Sequence, residues 1–170
     1  MSDGIAHIGP PRQVTRTIEG KEYTFSTIIL ADHAEKENYI LSLMPGPMEA
    51  LATVPSSVPK HVQEMLVAAA MKAAQRPRFV TRDEEQEFDE SLHGNAWRIW
   101  RSLRDNHVEF GKPTEGRQNK YTIGKKSYTL TPAEGVQAAL DFMERIGNEA
   151  LMKQVIPAVD GSEQADLLPN

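Results

Sequence analysis

Cysteine is absent from all 170 residues, which excludes disulfides, thiolate metal sites and cysteine nucleophiles and suits a reducing interior. Aromatic residues are scarce, at 6%. With a mean hydropathy of -0.48, little apolar side chain is left once one modest core is built. Long hydrophobic runs are missing too: the longest, Met65 to Met71, is far short of the ~18 residues that a membrane span needs. The start, Met1-Ser2-Asp3-Gly4, shows no basic region followed by an apolar stretch. Neither a secretory signal nor membrane embedding is therefore expected, and synthesis in the cytoplasm is the default.

Nucleotide motifs are lacking as well. None of Gly20-Lys21, Gly111-Lys112 or Gly124-Lys125 sits in a P-loop pattern, and no G-x-G-x-x-G occurs. The histidines His7, His33, His61, His93 and His107 are scattered. His33 with Glu37, and Glu90 with His93, each place two ligands on one helical face, but two ligands are not a metal site, and no second Glu-x-x-His completes a carboxylate-bridged pair. Ser91 and His93 lie too close along a helix to converge as nucleophile and base, and no G-x-S-x-G elbow is present. Paired acids such as Glu84-Glu85 serve acid–base chemistry only in a cleft; in so dense a run they read as a solvated face. No catalytic residue, cofactor or metal is expected, and the chain reads as a non-enzyme.

What is present is a globular balance, 39% hydrophobic and 25% charged, in a length suited to one domain of ~100–200 residues. Residues 1–12, with Gly4, Gly9 and Pro10-Pro11, read as an N-terminal arm. Residues 13–156 read as the domain and 157–170 as a C-terminal tail. Val14 to Ile18 and Glu22 to Ile28 flank Glu19-Gly20-Lys21 as a β-hairpin whose turn uses the positive φ open to Gly20. Asp32 with Glu35 predicts a capped helix to about Met44, ended by Pro45-Gly46-Pro47. A short helix over 47–53 follows. A longer one over 59–76 carries Val62, Met65, Leu66, Ala69, Ala70 and Ala73 on one apolar face.

Thr81 with Glu84 caps an acidic helix, and Gly94 is expected to separate it from a helix over 95–107 that buries Ala96, Trp97, Ile99, Trp100 and Leu103. Residues 121–123 and 127–130 predict a second hairpin about Gly124-Lys125. Thr131-Pro132-Ala133-Glu134 opens a further helix with Val136, Ala139, Leu140, Met143 and Ile146 on one face and Gly147 as its C-cap. Asn148 is placed to cap a last short helix to Ile156. The fold class is thus α+β, helix-dominated, with two small β-hairpins. The stretches Thr17 to Phe25 and Tyr121 to Leu130 echo each other before a capped helix, which suits either a duplicated unit or common hairpin chemistry.

Charge is segregated within a net value of -5. Residues 81–92 sum to -5 and residues 93–128 to +5. The candidate protein-interaction residues are Arg98, Arg101 and Arg104 on the basic side and Asp83, Glu84 and Glu87 on the acidic side. They are expected to pair within the chain or between copies. Basic side chains interleaved with Trp97, Trp100, Tyr121 and Tyr128 also offer a nucleic-acid reading. Against it, the chain is acidic overall, and tryptophans three apart beside Ile99 and Leu103 read as core.

Residues 20–110 resemble tail assembly chaperones of tailed bacteriophages. The resemblance is carried by Gly20-Lys21-Glu22-Tyr23-Thr24-Phe25 entering a capped helix with Glu35 and Glu37, the Ala-rich helix, the acidic segment, and Trp100-Arg101-Ser102-Leu103-Arg104-Asp105-Asn106-His107. It implies a protein that holds the tape-measure protein while tail subunits assemble, in the host cytoplasm, as a homo-oligomer or within a larger assembly. The second hairpin lies outside the resemblance and leaves open a virion component such as a connector or tail protein. No catalytic residue is carried over.

Overall fold

The computed structural model describes residues 12–116, 120–123 and 125–160. Strands β1 (Gln13–Ile18) and β2 (Lys21–Ser26) pair antiparallel with Val14 opposite Phe25 and Ile18 opposite Lys21. That register leaves two turn residues, Glu19 at φ 51 and Gly20 at φ 78. Both are left-handed, as a tight turn matching the strand twist requires. Alternation sends Tyr23 and Phe25 inward.

Helix α1 (Leu30–Leu43) starts one turn earlier than the capping residues suggest. Ile29 holds the cap position, and Asp32 reaches back to accept from its backbone N–H at 2.8 Å. Glu35 takes no part in the cap. Helices α2 (Pro47–Leu51) and α3 (Lys60–Ala74) pack on one another as an outlying hairpin. Only Ala70 of α3 is buried. The apolar periodicity of this segment makes the expected helix, but the domain does not cover its face.

Helix α4 (Arg82–Glu90) carries the expected Thr81–Glu84 capping box. The break before α5 (Leu92–Arg104) falls at Ser91, not Gly94. Ser91 is extended, its hydroxyl accepts from the Gly94 N–H at 3.0 Å, and Gly94 is itself helical. Glycine is needed there because a Cβ would overlap the Phe88 carbonyl oxygen. A single turn at Val108–Phe110 leads to β3 (Tyr121–Ile123) and β4 (Lys126–Tyr128), antiparallel partners with Tyr121 opposite Tyr128. Gly124, expected in their turn, lies outside the described residues.

Helix α6 (Pro132–Ala150) begins at the Thr131–Glu134 box. Gly147, expected to end the helix, does break it: at φ 74 it is non-helical and separates two helical segments across a kink, and the second continues through a π turn at Leu151–Val155 into α7 (Ile156–Asp160). Ala158 and Val159 of α7 are buried, so residues 157–160, expected in the C-terminal tail, belong to the packed domain. Residues 161–170 and the arm residues 1–11 lie outside the described set.

The core gathers around α5, nine of whose 13 residues are buried. Trp97, Ile99, Trp100 and Leu103 meet Phe25 and Tyr23 of β2, Val136, Ala139 and Phe142 of α6, and Val155. Gly135 permits the closest approach, since a Cβ there would run into the Trp100 indole. The result is an α+β, helix-dominated domain with two small two-stranded antiparallel sheets. Among the described residues no helix is long and apolar enough to cross a membrane.

Candidate interaction surface

The arginines spaced three apart on α5 do not form one exposed face. Arg101 and Arg104 are 5% and 1% exposed, because α5 runs through the middle of the domain and its polar stripe points at α1. Arg101 Nε donates to Asp32 Oδ1 at 2.7 Å, and Arg104 Nη1 pairs with Glu35 Oε1. Arg98, at the partly exposed end of the stripe, pairs with Asp160 of α7. The arginines are thus committed within the chain to α1 and α7 and not to the acidic helix, correcting the expected pairing and removing Arg101 and Arg104 as surface candidates.

The cluster around them is continuous. The Arg104 guanidinium lies 4.8 Å from the Trp100 ring and 4.2 Å from the Tyr128 ring. Aromatic faces thereby take up charge where Arg104 Nε has no hydrogen-bond partner among the described residues. Burial works to lower the Arg101 pKa, but the charge and hydrogen bond of Asp32, aided by Asp105, outweigh it and raise the value. Asp105 accepts from Tyr128 Oη at 2.7 Å and from Lys126 Nζ at 3.2 Å. Burial opposes its ionisation, yet these donors and Arg101 hold its pKa below the ordinary value. Burial and the bond to Asp105 push the Tyr128 phenol well above its usual range. The cluster ties α1, α5 and β4 together through Asp32, Glu35, Arg101, Arg104, Asp105 and Tyr128.

Helix α4 finds its intrachain cation elsewhere. Lys36 of α1, nearly buried, bridges Glu85 at 2.6 Å and Asp89 at 3.0 Å, a contact the sequence pattern did not single out. Glu84 is held by the Thr81 backbone and hydroxyl, which lower its pKa. Asp83 and Glu87 are exposed and have no partner among the described residues. Of the six candidate residues, these two remain free to meet another molecule.

Three of the four aromatic residues of the nucleic-acid reading, Trp97, Trp100 and Tyr128, are turned inward, and Tyr121 is half-buried. Trp97 and Trp100 are 1% and 0% exposed, and Trp100 Nε1 donates to the Phe110 carbonyl at 2.8 Å. Tyr128 is buried against Arg104. The Ser91 hydroxyl, which caps α5, also donates to the Phe88 carbonyl. Among the described residues no three histidine or carboxylate side chains gather as a metal site. His107 serves the fold: its Nε2 accepts from the Thr24 N–H at 2.8 Å.

Exposed large apolar side chains are most numerous on α2, α3 and the loop behind them, with Leu30, Leu43, Leu92, Val108 and Met152 exposed on other elements. Met65, Val67 and Met71 of α3, Met48 of α2 and Phe79 of the loop to α4 are all exposed. Between the α1–α2 turn and the C-terminal end of α3 runs an open cleft of about 750 Å³. Its lining joins the apolar side chains of Pro45, Pro47, Ala69 and Ala73 to the basic ones of Lys72 and Arg76. Arg78 closes one end by donating to the Pro45 carbonyl at 3.2 Å.

The fold places the chain among α+β proteins with a central buried helix and an outlying helical hairpin. No protein-family model, characterised protein or solved structure matches it.

Proposed function

We propose that this chain is a non-enzymatic protein-binding protein that acts in assembly, in the manner of a bacteriophage tail assembly chaperone. The observation that carries the reading is the bare apolar surface of the α2–α3 hairpin. Met65 is 69% exposed on a helix that buries only Ala70. A domain short of apolar residues gains nothing in stability by leaving this many outside, and clustered exposed apolar side chains mark interaction surfaces. Unbranched methionines suit such a surface because they adapt to several partner shapes.

The phage setting is supported by the sequence resemblance of residues 20–110. It makes the tape-measure protein the first partner to test and places the chain in the host cytoplasm or, as a connector or tail component, in the virion. Nucleic acid is a weaker alternative, since the basic side chains of α5 face carboxylates of the same chain. The test is co-expression with the structural proteins encoded beside it, followed by co-purification. Capture of the tape-measure protein, abolished by Val67→Ser with Met71→Ser, is the expected result. Failure to bind any of them overturns the reading.

A further inference from the structure

We infer that the cleft at the C-terminal end of α3 receives a second copy of this chain, with Phe79 as the anchor of a two-fold dimer. The inference rests on the protein-binding reading and gives this part of the surface its own occupant. Phe79 is 71% exposed in the loop between α3 and α4, and aromatic side chains, Phe among them, are enriched in the cores of protein interfaces. The cleft near it has a mixed lining of small apolar side chains, alanines and prolines, and of basic ones. Lys72 and Arg76 in that lining have no ion-pair partner among the described residues. The same chain supplies the complement: Asp83 and Glu87, one turn apart on α4, are exposed and equally without partners.

The two patches adjoin. Arg78 Nη2 at the cleft lies 4.0 Å from Glu84 Oε1 on α4. Adjoining patches of opposite charge favour a closed pair, because a two-fold axis between them lets each copy present its basic cleft to the other's acidic helix in one interface. In that arrangement Phe79 of each copy enters the cleft of the other, and Asp83 and Glu87 face Lys72 and Arg76. The anchor, the cleft and both charged patches are then covered together.

Sedimentation equilibrium of the full chain over ~5 to ~500 μM is the primary measurement. A monomer–dimer equilibrium is expected, weakened at least ~10-fold by Phe79→Ser, a change at an exposed site that leaves the circular dichroism spectrum unaltered. Lys72→Glu and Glu87→Lys should each weaken self-association, and an equimolar mixture of the two variants should restore it, because both contacts across the axis become attractive again. A monomer throughout the range overturns the proposal, as does a dimer indifferent to Phe79 or a mixture that is not rescued. A monomer that captures a neighbouring gene product through Phe79 gives the cleft to a foreign partner, defeating the dimer while leaving the protein-binding reading intact. A dimer that captures no neighbouring product does the reverse.

Discussion

Arg104 of α5 and Glu35 of α1 meet in a buried ion pair one turn from a second, Arg101 with Asp32. Arginines three apart on one helix thus face carboxylates three apart on another. Removing one member strands a charge in the core, so Arg104→Met alone should destabilise the fold by about 3–5 kcal/mol. Arg104→Met combined with Glu35→Leu removes both charges of the pair, strands neither, and should cost less than either single change. Urea unfolding of the three variants tests this, and additive single costs would show that the pair is not energetically coupled.

The tryptophans give a second test. With both indoles nearly inaccessible, native fluorescence should resist aqueous quenchers, and Trp100→Ala should cost about 3–5 kcal/mol. Gly135→Ala should also destabilise, by about 1–3 kcal/mol, because its methyl group competes with the Trp100 ring for the same space. Free quenching in the native protein, or a neutral Gly135→Ala, contradicts the α5–α6 packing.

Histidine 107 sets a pH dependence. Its half-buried ring resists protonation mainly through desolvation, aided by Lys21 and Lys112 and opposed by Glu109, and the net shift is below the ordinary 6.5. The neutral ring, through Nε2, accepts the Thr24 N–H. A depressed folded-state value means that the unfolded chain takes up the proton first. The stability contribution is therefore complete above pH 6.5 and is lost as pH falls from there through the folded-state value. Unfolding at pH 7.5 and 5.5 should reveal the loss, with a flatter profile for His107→Gln. An imidazole resonance titrating at or above 6.5 would refute the assignment.

Nucleic-acid binding near physiological salt should be negligible for the wild-type chain, because the α5 arginines are spent on Asp32, Glu35 and Asp160. Fluorescence anisotropy with single- and double-stranded probes is the measurement. Micromolar affinity with a steep salt slope would restore the phosphate-binding alternative.

Local chemistry made much of this protein legible from its residues. Glu19-Gly20 specifies a tight hairpin turn through backbone conformations cheap for glycine; the Thr81 and Thr131 boxes specify helix starts through bonds three residues apart; and the spacing of Trp97, Ile99, Trp100 and Leu103 marks a buried face. Each is an interaction between near neighbours, so order along the chain suffices. The arginine stripe reads as a partner for the nearby acidic helix because its actual partners Asp32 and Glu35 lie 69 residues away. Asp32 and Glu35 also mimic a capping box, which hid their second use. For α3 the periodicity predicts the helix and an apolar face, but whether a face is covered depends on where the rest of the chain packs. Periodicity determined that the face exists, while the tertiary structure, by spending its few large apolar side chains around α5, decided that it stays open to another molecule.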